Sequence, residues 1–268
     1  MPVPAAGSGP LVIAHRGASK HAPENTMAAF EAAWRAGAAW VEADTQPSVD
    51  GVPMVLHDDV LDRTTAGRGP IREARALDVG GLDAGSWFGP DFSDARVPEL
   101  DALVASLRGP ATSAGDRRLL LEIKGEHTLD QLIAVMDVLR AHGVDDRVFL
   151  ESFELDVLLE LRKAVPGRPF GLLVERLDDD PVAAARAAGA AAYNPPVDAL
   201  LARPELLADL HAAGLAVAVW TADDPVQWAA LTELGVDAII TNTPAELLAW
   251  QRAGAAGSRT ESPLPQQL

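Results

Sequence analysis

Short apolar runs alternate with longer amphipathic stretches from Leu11 to Arg252. The runs predict strands over 11–15 (LVIAH), 39–44, 118–124, 147–152, 169–174, 190–194, 215–221 and 236–241. The stretches between them repeat their apolar residues at helical spacing and predict helices over 26–37, 97–109, 129–143, 155–165, 180–189, 203–214, 225–235 and 243–252. Several of these end in a glycine that stops the helix, as at Gly37, Gly143 and Gly235. The strands are apolar almost throughout rather than alternating, as expected of a parallel sheet covered on both faces. Eight strand–helix units in a chain of 268 residues predict a (β/α)8 barrel, which needs about 250 residues; a doubly wound open sheet is the competing arrangement. A turn at Asp50-Gly51 leads into an extended stretch over 52–57. Residues 58–96, rich in Gly, Asp and Arg, break the rhythm and read as a small insertion after strand two, near the barrel mouth. The expected organisation is an N-terminal arm over 1–10, a barrel domain over 11–252 and a disordered tail over 253–268, where the sequence turns small, polar and Pro-containing.

Composition narrows the partners. Apolar residues make up 48% of the chain, enough for a large core. The formal charge of −17 argues against nucleic acid and against an anionic membrane surface, since both require basic patches. An anion-binding site in such a chain must rely on local cations or a metal. The absence of cysteine excludes disulfides and thiolate zinc sites. The first ten residues have no basic or long apolar segment of the signal-peptide kind, and no apolar run approaches the ~20 residues of a membrane span. The expectation is a cytoplasmic protein without a stable membrane anchor.

In a barrel, chemistry collects at the C-terminal ends of the strands. There the sequence places His15, Arg16, Glu42, Asp44, His57, Glu122, Lys124, Glu151, Glu175, Asn194 and Trp220. Glu42 and Asp44 stand two apart, so they share one face of their strand, and Glu122 and Lys124 repeat the spacing. Inward carboxylates on neighbouring strands repel one another unless a cation joins them. All-oxygen ligands favour a hard ion such as Mg²⁺ or Ca²⁺; the competing reading is a metal-free network of carboxylates with Lys124. His15 and His57 suit proton exchange near neutral pH, one as base and the other as acid. Alternatively they join the acids as metal ligands, which would favour Zn²⁺ or Mn²⁺. Arg16 offers a fork that fits phosphate oxygens, or pairs with Glu24, and the two are compatible. In the APENT stretch, Pro23 presets the loop and Asn25 is positioned to cap the helix that follows. Trp220 either packs or walls a ligand pocket, and Trp87 and Phe88 in the insertion are placed to act as a lid.

Taken together, HRG (15–17), PENT (23–26), E-A-D (42–44), DG-VPMVLHD (50–58), RTTAGRG (63–69), LDAGSWF (82–88), LEIK (121–124), VWT (219–221) and GVDAIITNTP (235–244) resemble the glycerophosphodiester phosphodiesterase family. The resemblance runs from Leu11 to about Arg252, and its specificity lies in the order of HRG, PENT, E-x-D and HD. It implies a barrel with a small insertion and a divalent ion, Ca²⁺ or Mg²⁺, on Glu42, Asp44 and Glu122. It implies His15 and His57 as the acid–base pair, with Arg16, Lys124 and Trp220 binding a small phosphodiester. The implied reaction converts glycerophosphodiesters, such as glycerophosphocholine or glycerophosphoethanolamine, to glycerol 3-phosphate and an alcohol. A related lysophospholipase D-like reaction on lysophospholipids is the alternative. Two stretches depart from the family pattern: Pro47 and Val49 in DTQPSVDG, and Ala222-Asp223 after VWT, which adds an acid near the mouth. Head group, metal and oligomeric state are left open.

Overall fold

The computed structural model describes residues 9–257. Residues 1–8 of the expected arm and 258–268 of the expected tail lie outside the described residues, while 253–257 continue the last helix.

The chain runs β1 (Leu11–Ala14), α1 (Met27–Ala36), β2 (Trp40–Pro47), β3 (Pro53–Val55), α2 (Ala76–Gly80), α3 (Leu100–Ser106), β4 (Arg118–Ile123) and α4 (Leu129–His142). It continues with β5 (Val148–Ser152), α5 (Leu155–Ala164), β6 (Phe170–Leu173), α6 (Pro181–Ala188), β7 (Ala192–Asn194), α7 (Val197–Ala202) and α8 (Leu206–Ala212). It closes with β8 (Ala218–Val219), α9 (Pro225–Leu234), β9 (Ala238–Thr241) and α10 (Pro244–Gly257). Eight strands pair in parallel in the order β7-β6-β5-β4-β2-β1-β9-β8, and β3 pairs antiparallel with β2. Parallel bridges Ala192 to Ala216 and Pro196 to Trp220 join β7 to β8 and bring the sheet round on itself. The predicted (β/α)8 barrel is therefore present, and the open sheet is not.

The strands are apolar on both faces because each face meets a different core. On the outer face, Val12, Ala14, Val41, Ala43, Leu119, Leu121, Leu150 and Ile239 pack against the helices. The alternate positions Ile13, Trp40, Leu120, Phe149, Ala238 and Ile240 plug the barrel interior. One step further along the same inward face the residue type changes. Trp40 is followed by Glu42 and Asp44, Leu120 by Glu122, Phe149 by Glu151, and Ile13 by His15. Two-residue periodicity thus converts an apolar floor into a polar layer at the mouth.

The differences from the sequence reading are local. Asn25 does not cap α1; Thr26 does, accepting from the Ala29 amide at 3.4 Å. The strand predicted over 215–221 is regular only at Ala218–Val219. There the Asn194 side chain, rather than a neighbouring backbone, accepts the Ala218 amide at 3.1 Å, and Pro195 and Pro196 have no N–H to offer a ladder. The helix predicted over 97–109 is confined to α3, because Pro98 accepts the Val55 amide at 2.8 Å and Glu99 bridges Met54 beside β3. Helix α7 was unanticipated: six residues with Val197 and Leu200 inward are too short for a helical repeat to register. The insertion packs Leu61, Ile71, Ala76, Val79 and Ala84 against Met54, Leu56 and Val97 at its two ends in a small core of its own.

Candidate active site

The polar layer is built by strand register. Asp44 of β2 lies opposite Glu122 of β4, and Glu122 opposite Glu151 of β5. All are buried, as is Glu42. Carboxylate oxygens of Glu42, Asp44 and Glu122 can be chosen that all lie within 4.8 Å of one another. Lys124 joins this group, its Nζ 2.9 Å from Glu122 Oε1 and 3.7 Å from Asp44 Oδ1.

The first loop is folded around the same acids. Arg16 and Asn25 both adopt left-handed backbone, at φ 53° and 56°, a conformation that costs a non-glycine residue about 1–3 kcal/mol. Three bonds hold the pair there. The Arg16 amide donates to Glu42 Oε2 at 2.8 Å, the Asn25 amide to the Arg16 carbonyl at 3.1 Å, and Asn25 Nδ2 to Asp44 Oδ2 at 2.6 Å. Gly17 follows at φ 81°, where a Cβ would stand 2.5 Å from the Ala29 carbonyl carbon. Only glycine lets the loop lie this close to α1. The Arg16 guanidinium reaches Glu24 at 2.8 Å and Asp44 at 3.3 Å, so the expected Glu24 pair is made while the side chain also faces the acids. Asn25, expected at a helix cap, instead braces Asp44.

Both histidines have one nitrogen engaged. His15 Nδ1 lies 2.7 Å from Asn242 Oδ1. Asn242 is held in that orientation by donating Nδ2 to Asp223 Oδ2 at 2.6 Å and by accepting from Ser19 Oγ at 2.7 Å. The carbonyl oxygen can only accept, so His15 Nδ1 carries the proton and Nε2 is the free base. Asp223, which the sequence placed as an extra acid near the mouth, thus supports His15 through Asn242. His57 Nδ1 lies 2.7 Å from Asp58 Oδ1. Arg63, from the insertion, donates to both Asp58 oxygens at 2.6 and 2.8 Å and to both Glu24 oxygens at 2.8 Å. Arg63 therefore ties the residue that orients His57 to the residue that holds Arg16. Asp58, Arg63 and Asn242 stand in the motifs over 50–58, 63–69 and 235–244, but the sequence gives none of them a role. The adjacency of His57 and Asp58 was the available signal; the others depend on contacts between distant segments.

Burial dominates the electrostatics. It pushes Glu42 up, helped by the Asp44 charge, and pushes Glu122 up to about 8 for the same two reasons. Burial acts upward on Asp44 as well, but the Arg16 and Lys124 charges outweigh it and hold Asp44 down at about 2. Burial, reinforced by Arg16, lowers His15 to about 4, which keeps it neutral near neutral pH.

These groups open on a cavity of about 560 Å³. Of the predicted site residues, His15, Arg16, Glu42, His57, Glu122, Lys124 and Trp220 line it, and Asp44 lies buried against Arg16 and Lys124 behind the wall. Trp87 and Phe88 are not among the lining residues; they meet edge to face, and Phe88 meets Phe92 in the same way. The insertion contributes Asp59, two residues past His57, to the wall instead.

The acid set fits a hard divalent cation. Its donors are all carboxylate oxygens, and Asp44 Oδ1 is buried with no hydrogen-bond donor, an arrangement that a directly bound cation satisfies. The clustered donors include no histidine, which leaves His15 and His57 available for protons.

Comparison with known proteins agrees with this architecture. Residues 15–246 match the sequence model of the Glycerophosphoryl diester phosphodiesterase family. A glycerophosphodiester phosphodiesterase of Caldanaerobacter subterraneus is 33% identical over 248 residues, covering 91% of this chain and 98% of the relative. A phosphodiesterase of Oleispira antarctica, solved in complex with the product sn-glycerol-3-phosphate, superposes with a TM-score of 0.82 at 29% identity over 90% of this chain and 96% of that one. A glycerophosphodiester phosphodiesterase of Agrobacterium tumefaciens superposes with a TM-score of 0.78 at 30% identity, over 90% of this chain and 99% of that one. With the barrel, the acid set and the two cavity-lining histidines in place, a match over nearly the whole chain shows that this protein belongs to the glycerophosphoryl diester phosphodiesterase family.

Proposed function

We propose that the enzyme hydrolyses glycerophosphodiesters, such as glycerophosphocholine or glycerophosphoethanolamine, to glycerol 3-phosphate and an alcohol, in a metal-dependent reaction with His15 and His57 as acid and base. The observation that carries this reading is the convergence of Glu42, Asp44 and Glu122 within 4.8 Å beside a cavity that both histidines line. Glu42, Asp44 and Glu122 would hold a Ca²⁺ or Mg²⁺ ion, which when bound polarises a phosphoryl oxygen and neutralises charge as the transition state forms.

The remaining steps belong to side chains. Arg16 and Lys124 present cationic donors to the phosphoryl oxygens, fixed in place by Glu24, Glu122 and Asp44. A histidine with a free Nε2, as His15 has, accepts the proton of an attacking water, or of the substrate's neighbouring hydroxyl, whose attack gives a cyclic phosphate that water then opens to glycerol 3-phosphate. The other histidine gives a proton to the departing alcohol oxygen as the P–O bond breaks. Trp220 walls the alcohol side of the cavity. A lysophospholipid substrate would favour a wide apolar groove. The cavity lining supports the smaller diesters: Phe153, Leu173, Trp220 and Ile240 are the large apolar side chains, and eight of the sixteen lining residues are Asp, Glu, Arg or Lys.

The test is glycerol 3-phosphate release from glycerophosphocholine, followed by a coupled assay. Chelator should stop the reaction and Ca²⁺ or Mg²⁺ restore it. Full turnover in excess chelator removes the metal from the mechanism, and no release from any glycerophosphodiester removes the activity.

A further inference from the structure

The cavity is divided by charge. On the β1, β2 and β4 side, Arg16 and Lys124 are each engaged with the acids beside them. The wall next to it holds Glu151 at the end of β5, beside β4, with Glu154 just past it and Glu175 just past β6, together with Phe153 and Trp220. Among the described residues no lysine or arginine forms an ion pair with these three acids. Lys124, whose charge reaches Glu151, gives its ammonium to Glu122 and Asp44.

Glu151 shows that this wall is more than a solvated acidic rim. It is 1% exposed. Asn194 Nδ2 donates to its Oε2 at 2.6 Å, no donor among the described residues reaches Oε1, and the residue lines the cavity. The neighbouring inward position on β6 is Gly171, paired with Glu151, where a Cβ would lie 2.9 Å from Asn194 Nδ2. The glycine therefore makes room for the amide that points Glu151 inward. A buried carboxylate with one neutral donor is costly unless a cation joins it. The adjoining aromatic surface is fixed as well. Trp220 Nε1 donates to the Asn194 carbonyl at 2.9 Å, and the Trp220 and Phe153 rings meet edge to face with centroids 5.7 Å apart. Lys124 Nζ already sits 5.8 Å from the Phe153 ring centroid, so one ring of this wall has an ammonium as neighbour.

We propose that the wall of Glu151, Glu154, Glu175 and Trp220 is a subsite for an ammonium group carried by the alcohol half of the diester. The enzyme then selects zwitterionic glycerophosphodiesters over those with neutral or anionic head groups. The carboxylates supply the opposite charge and Trp220 an aromatic face. Hydroxyl groups could also be accepted by these oxygens but would leave the carboxylates without an opposite charge, so charge rather than hydrogen bonding separates the substrates. The proposal rests on the glycerophosphodiesterase reading above.

The experiment compares kcat/KM for glycerophosphocholine and glycerophosphoethanolamine with that for glycerophosphoglycerol and glycerophosphoinositol. The first two should be favoured about tenfold, the scale of two partly exposed charge pairs. The exposed double variant Glu154→Gln/Glu175→Gln should shrink that ratio towards one, chiefly through KM. Equal kcat/KM across the four diesters, or an unchanged ratio in the double variant, overturns the proposal and leaves the diesterase reading standing. Calorimetric titration with choline chloride and with glycerol tests the subsite without turnover. Binding of choline that weakens in the double variant supports it, and choline bound no better than glycerol overturns it. Failure to cleave any of the four diesters counts against the activity alone, because the choline titration still decides the subsite.

Discussion

Stripped of divalent cations, the protein should lose stability as pH rises from about 6.5 to 8. Burial pushes Glu122 and Glu151 up to about 8, with the Asp44 charge adding at Glu122 and the Glu122 charge adding at Glu151, whereas the ordinary value is 4.5. Across this window the folded chain keeps both protons and the unfolded chain has released them. The folded state binds more protons, so each pH unit removes ~1.4 kcal/mol of stability per acid, or about 2 kcal/mol over the window. The two acids repel each other when ionised, so their effects overlap and the loss is roughly 3 kcal/mol in all. For a domain of this size that is a fall in Tm of roughly 6–12 °C. His15 and His127, which burial lowers to about 4, act in the opposite sense and at lower pH. Being neutral when folded, they add stability as pH rises from 4 to 6.5 and little above it. Thermal unfolding in chelator at a series of pH values reads the effect. Excess Ca²⁺ or Mg²⁺ should flatten it, because a cation favours the ionised acids. Glu122→Gln and Glu151→Gln should each reduce the slope in chelator. A Tm that is constant or rising between pH 6.5 and 8 in chelator would refute the reasoning.

Substitutions at four residues test the rest of the site. His15→Ala and His57→Ala should each lower kcat by about 10²–10⁴ with the fold retained by circular dichroism; near-normal turnover would remove that histidine from the chemistry. Arg63→Ala should lower kcat about tenfold with a smaller change in KM, because Asp58 and Glu24 lose the side chain that ties them together. Arg63→Lys should recover only part of the loss, since a point charge cannot reproduce the four-bond fork; full activity of both variants would show that the bridge is dispensable. Asn25→Ala should weaken divalent-cation affinity about 10–100-fold through the lost Asp44 contact, read by calorimetric titration of Ca²⁺ or Mg²⁺, and an unchanged affinity would assign Asn25 to loop folding alone.

The chain order of apolar runs was enough to specify eight strand–helix units and which strand ends carry polar residues. It also identified Glu42 and Asp44 as neighbours on one face, because a strand repeats every two residues whatever it packs against. Linear order could not show how those ends meet. That Glu122 lies opposite Asp44, and Glu151 opposite Glu122, follows from the register between β2, β4 and β5, which the packed barrel sets and no local pattern records. The same holds for the groups that orient the histidines. Asn242 is 227 residues from His15, and Arg63 reaches Glu24 across 39 residues. Local preference pointed the wrong way at Asn25, where a residue suited to cap a helix is held in left-handed backbone by the Arg16 carbonyl and Asp44. Periodicity is a property of the backbone and is written along the chain. Electrostatic pairing depends on distances through space, and only the closed barrel brings those charges together.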